Sequence, residues 1–81
     1  MARVHFSTPL RRFTGGVAVV EVDASTVKAL IEELDSRFPG IGEPLLSGTA
    51  VAIDGEVIAH PLYEPIPDGA ELHFVTAPSG G

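Results

Sequence analysis

The chain has 81 residues, no cysteine and a net charge of −6. That length makes one small domain, with no room for an active site between two lobes. The lack of cysteine excludes disulfides, thiolate metal sites and a cysteine nucleophile.

A hydrophobic share of 44% is too high for a disordered chain. The longest apolar runs, Val17 to Val20 and Ala50 to Ile53, have strand length and are too short to span a membrane. No positively charged start followed by an apolar stretch and a cleavage site is present, so the expected location is the cytoplasm. Charge is unevenly placed. Residues 1–31 sum to +2, with Arg3, Arg11, Arg12 and Lys28 against Glu21 and Asp23; residues 32–81 sum to −8, with Arg37 alone against nine acids. Such a surface repels phosphate backbones, so no nucleic-acid partner is expected, and a basic protein surface is its complement.

In chain order, Arg3 to Ser7 alternates with Val4 and Phe6 on one face, which is the period of a half-buried strand. Pro9 interrupts it, Leu10 to Thr14 reads as a loop, and Gly15-Gly16 supplies the backbone freedom for a reversal. Val17 to Val22 is a second strand, with Ala18, Val20 and Val22 inward because Glu21 and Asp23 must face water. Val27, Leu30, Ile31, Leu34 and Phe38 then form one helical stripe. With Ser25 as N-cap and Pro39-Gly40 as terminator, the spacing predicts a helix near residues 26–37. Ile41 to Gly48, containing Pro44, reads as an irregular link. Thr49 to Ile53, Asp54-Gly55 and Glu56 to Ala59 form a tight hairpin. The three prolines of His60 to Pro67 predict a loop or a short edge element, and Pro67-Asp68-Gly69 a turn. Glu71 to Thr76 is the last strand, with Leu72 and Phe74 inward and His73 and Val75 outward.

One amphipathic helix can cover one face of one sheet, so the class is α+β, with a sheet wrapped on a helix. The expected core is Val4, Phe6, Val20, Val22, Val27, Leu30, Ile31, Leu34, Ile53, Leu72 and Phe74. Residues 1–77 form the body and 78–81 a tail.

Most polar residues have plain explanations. His5, His60 and His73 lie on separate strands or loops without metal-ligand spacing, so they read as outward residues and no metal site is expected. Glu32 and Glu33 are a solvated helix flank. Arg11 and Arg12 could grip an anion, but they read as solvated loop charge. Ser7, Thr8 and Ser47 have no base arranged by sequence, so no catalytic residue is expected. On the outward face, Ala52, Val75 and Val19 beside His73 would make an apolar docking patch. The tail is the most informative feature. Gly80-Gly81 buries nothing, and holding it costs ordering entropy. What it offers is a slim backbone that threads a narrow channel and ends in an unhindered carboxylate.

The last ten residues, Leu-His-Phe-Val-Thr-Ala-Pro-Ser-Gly-Gly, can be laid on the end of ubiquitin (LHLVLRLRGG) without a gap. The ββα start, the helix ending in Phe-Pro-Gly-Ile and the Ile-Pro-Asp-Gly-Ala-Glu-Leu turn resemble the MoaD/ThiS family of sulfur carriers over essentially the whole chain. Residues 7–16, Ser-Thr-Pro-Leu-Arg-Arg-Phe-Thr-Gly-Gly, look like the carriers tied to cysteine assembly. The short middle looks like the small subunit of molybdopterin synthase. Ser79 fits the family pattern, and Pro78 stands where Val is usual.

The resemblance implies a β-grasp (ubiquitin-like) fold and a non-catalytic carrier that binds no cofactor itself. It implies that Gly81 is activated by an adenylating enzyme using ATP and takes sulfur from a persulfide donor. The resulting thiocarboxylate serves a sulfur-accepting synthase, in a molybdopterin, cysteine or thiamine type of pathway. Gly80, Ser79 and Pro78 would give the tail its clearance and reach, and Ala52, His73 and Val75 the docking surface. The alternatives are a ubiquitin-like modifier joined to lysines, or a β-grasp interaction module with an idle tail.

Overall fold

The computed structural model describes residues 1–47, 49–58 and 61–76. Five strands form one mixed sheet: β1 (Ala2–Phe6), β2 (Val19–Val22), β3 (Thr49–Ile53), β4 (Glu56–Ile58) and β5 (Glu71–Thr76). Their spatial order is β2-β1-β5-β3-β4. The neighbours β1 and β5 are parallel, and every other pair is antiparallel. Helix α1 (Val27–Arg37) buries Val27, Leu30, Ile31 and Leu34. Against this stripe lie Val4, Phe6, Val22, Val51, Ile53, Leu72 and Phe74, all buried. The expected wrapping of a sheet on one helix is what the chain adopts.

The start of α1 shows how its unpaired backbone donors are satisfied. Thr26, extended at φ −134° and ψ 160°, is the N-cap, and its hydroxyl oxygen accepts from Ala29 N–H at 3.2 Å. The strap at residues 61–66 supplies two further acceptors. Val27 N–H donates to the Glu64 carbonyl at 3.1 Å and Lys28 N–H to the Leu62 carbonyl at 2.8 Å. Ser25, expected as the cap, instead offers its carbonyl to Ile66 N–H at 2.9 Å. At the far end, Arg37 donates to Glu33 and to the Glu21 carbonyl, both at 2.9 Å, fastening α1 to β2.

Four local readings differ from expectation. Leu10 to Thr14 is not a plain loop: Thr8–Phe13 is a 3-10 helix that buries Leu10. Residues 41–47 are not an irregular link either, because α2 (Gly42–Leu46) buries Leu45 beside Ile41. Strand β2 starts at Val19, since Val17 N–H still bonds back to the Thr14 carbonyl at 3.4 Å. Val20 is half-buried at the rim of the core, because β2 is an edge strand.

The Asp54-Gly55 reversal has φ 49° and 88°, a primed hairpin turn that favours such residues. It is tied to β5 twice: Asp54 N–H donates to the Glu71 carbonyl at 2.8 Å, and Glu71 N–H to the Asp54 carboxylate at 2.9 Å.

Candidate docking face and tail

The sheet's second face carries no helix in its strand alternation, and the pairing register sets its residues in rows. Val19 pairs with His5, His5 with His73, His73 with Ala52, and Ala52 with Val57. A single row therefore crosses all five strands. The residues expected to dock divide as follows. Ala52 and His73 are neighbours in this row, and Val19 ends it. Val75 lies two residues farther along β5 on the same face, opposite Ala50. Val19 and Val75 are 42% and 39% exposed.

Two members of the face escaped the sequence reading. Val57 is 64% exposed and continues the apolar row onto β4. His5 was placed outward, but its partner is far away in sequence. Its ring stacks on His73, with centroids 4.2 Å apart and planes 5° from parallel. Its Nε2 lies 2.7 Å from Glu71 Oε1, which orients the stack. Alternation along β1 and β5 shows both imidazoles outward, whereas only the parallel β1–β5 pairing brings them together.

Next to the stack is a hollow of about 250 Å³ that reaches Ala18, Val19 and Val75 and is edged by Arg11. Arg11 is held there by the 3-10 helix and by donation from its Nε to the Phe6 carbonyl at 3.1 Å. Thr14, the one buried polar residue among those described, braces this turn: its hydroxyl donates to the Val17 carbonyl at 2.7 Å. The other end of the face is polar, with Arg3 paired to Glu21 on β2 and to Glu71 on β5.

The strand that bears the face also precedes the tail in sequence. β5 presents His73 and Val75 and then runs through Thr76 toward the C-terminus. Pro78, Ser79, Gly80 and Gly81 lie outside the described residues, as does His60. At the opposite end of β5, the Met1 amino group bonds the Asp68 carboxylate. This hydrogen bond raises the amine's pKa above its ordinary 8.0 and lowers that of Asp68 below 3.8.

The hydroxyls of Thr14, Thr26 and Ser47 bond backbone groups, an arrangement that braces turns and helix ends and activates no nucleophile. Among the described residues, no three His, Asp or Glu side chains are grouped to hold a metal ion, and no helix is long and apolar enough to cross a membrane.

Comparison with known structures carries the fold further. A chain of the Amycolatopsis orientalis BexX/CysO complex matches with a TM-score of 0.88 at 29% identity, covering 100% of both chains. Mycobacterium tuberculosis CysO matches at 0.86 and 25% identity, over 96% of this chain and 100% of that one. A putative molybdopterin converting factor, subunit 1, from Pyrococcus furiosus matches at 0.77 and 20% identity, over 95% and 97%. This last likeness shows the fold alone. No curated protein sequence matches the chain. The mixed sheet on one helix is thus a β-grasp, ubiquitin-like fold. The ThiS family model matches residues 4–81, from β1 through Gly80-Gly81, and the chain belongs to the ThiS family.

Proposed function

We propose that this chain is a sulfur carrier whose reactive group is the carboxyl of Gly81. The observation that carries the reading is the family match itself, which extends through residue 81 and so includes the terminal Gly-Gly. In the proposed cycle the sheet face docks on an adenylating enzyme, with Ala52, His73 and Val75 at the contact, and β5 sends the tail into that enzyme's ATP site. Pro78 and Ser79 set the reach, and Gly80 passes a channel that a side chain would block. The Gly81 carboxylate attacks the α-phosphorus of ATP and expels pyrophosphate. The acyl-adenylate is a mixed anhydride. A donor's persulfide sulfur attacks its carbonyl carbon and expels AMP, and a thiol then cleaves the sulfur–sulfur bond. That leaves a thiocarboxylate on Gly81 and a disulfide on the donor. A synthase accepts the sulfur. Among the similar structures, a complex of CysO with BexX supports a protein partner for a chain of this fold.

The test is intact-mass measurement after incubation with the activating enzyme, ATP and a persulfide donor. The full chain should exchange one oxygen for sulfur, and a chain lacking Gly81 should not. An extended chain of about 3.3–3.6 Å per residue loses that much reach, and misplacement by about 1 Å can cost on the order of a hundredfold in rate. A Gly81-deleted chain that accepts sulfur at its new terminus overturns the reading. Accumulation of lysine-linked conjugates in place of the thiocarboxylate would assign the tail to a protein modifier.

A further inference from the structure

The docking reading does not say what chemistry meets the face. The ion pairs among the described residues are Met1–Asp68, His5–Glu71, Lys28–Glu32 and Arg37–Glu33. Arg11 is in none of them. In a chain of net charge −6, it is a cation without a carboxylate among the described residues, bonded through Nε to the Phe6 carbonyl at the edge of a hollow. That bond uses Nε and leaves the two Nη groups to a ligand. Beside Ser7 and the two imidazoles, the hollow has an apolar wall of Ala18, Val19 and Val75. The imidazoles beside it form the stack, with His5 Nε2 on the Glu71 carboxylate. An exposed guanidinium next to apolar walls matches one kind of visitor. It pairs with a carboxylate through charge-assisted bonds, while a neighbouring aliphatic group loses its water against the valines.

We propose that this hollow receives a partner segment in which a carboxylate stands beside an aliphatic side chain, the carboxylate on Arg11 and the aliphatic group on Val19 and Val75. The inference rests on the docking-face reading and adds its local polarity. The acidic half of the chain favours a basic partner at long range, but at this spot the partner is acidic. A partner that is basic throughout would leave Arg11 facing like charge, which is unfavourable at short range. The hollow therefore discriminates between partner surfaces, because it asks for one acid at one place.

The experiment uses the full chain, isotopically labelled, and two small probes. N-acetyl-leucine carries a carboxylate beside an isobutyl group, and N-acetyl-leucinamide carries the same isobutyl group without charge. Titrations are read by backbone amide chemical shifts, and comparison with Arg11→Gln assigns the response to charge to this guanidinium. The carboxylate probe should shift the amides of Ala18, Val19 and Val75 and bind about fivefold more tightly than the amide, the scale of one exposed charge pair. Arg11→Gln should remove that preference, and Arg11→Lys should keep part of it. The amide spectrum of each variant shows directly whether it is folded. Equal affinity for the two probes, no shift with either, or shifts confined to the surroundings of Lys28 or Arg37 would overturn the proposal. The docking reading fails separately. If Val75→Asp leaves ATP-dependent pyrophosphate exchange with the activating enzyme unchanged, the face does not dock, whatever the probes do.

Discussion

Gly42 opens α2 and is buried, and Ala at this position would test how the helices are joined. A Cβ there would lie 2.9 Å from Asp35 Oδ1, 3.0 Å from its Cγ and 3.2 Å from its Cβ. Asp35 cannot simply swing aside, because the same Oδ1 accepts from Gly42 N–H at 2.9 Å and from Gly40 N–H at 3.2 Å. Moving the carboxylate costs one or both bonds. Hydrogen bonds to a charged group contribute about 1.5–3 kcal/mol each when sheltered and less when exposed, and the Gly40 bond is exposed. Against this, replacing glycine lowers the entropy of the unfolded chain, which stabilises by about 0.4–1 kcal/mol. The difference gives Gly42→Ala a net loss of about 1–2 kcal/mol. In a domain this small each kcal/mol moves Tm by roughly 4–8 °C. Urea unfolding of Gly42→Ala, Asp35→Ala and the double variant would measure it. Because both single changes break the same bonds, the double variant should lose clearly less than the sum of the two. Additive losses, or a Gly42→Ala protein as stable as the parent, would refute this account of the α1–α2 joint.

Three further outcomes are expected. Leu30→Ala, at a fully buried position, should cost about 2–5 kcal/mol in chemical denaturation, out of a total of roughly 4–12 kcal/mol for a chain of this length; a change under about 1 kcal/mol would mean the helix is phased differently. The Met1–Asp68 pair should give stability a flat region between the ordinary values of 3.8 and 8.0. Asp68, lowered, contributes less as pH falls through its folded value, and the amine, raised, contributes less as pH rises through its own. Both slopes should shrink in Asp68→Asn and in high salt when Tm is followed against pH. Gly80→Val should block thiocarboxylate formation and leave Tm unchanged, and a variant that still transfers sulfur at the parental rate would remove the narrow channel from the proposed cycle.

What the sequence displayed and what it hid divide along physical lines. The stripe on α1 and the alternation of β1 and β5 are local periodicities, so the core residues they predict are buried where expected, apart from Val20 at the sheet edge. Both short helices were hidden by their prolines. Pro9 and Pro44 read as breakers, yet each sits in the first turn of its helix, where a backbone N–H has no partner to lose. The contacts of His5 were hidden for another reason. Its side was legible, but its stacking on His73 is created by a pairing between the first and last strands, which no local pattern encodes. The tail was the clearest functional sign in the sequence, and Pro78 to Gly81 lie outside the described residues.

The position of β5 has a mechanical consequence. This strand lies inside the sheet, bonded on one side to β1 and on the other to β3, and the tail is its continuation. A pull on the tail, such as a partner gripping it in a channel would exert, acts along the axis of β5. Both ladders are then loaded in shear, so their hydrogen bonds share the force and must yield together. An edge strand such as β4, with one ladder to β3, can be peeled one bond at a time. In the proposed cycle the chain can therefore be held by its tail while the sheet stays intact, because the strand under tension is bonded on both sides.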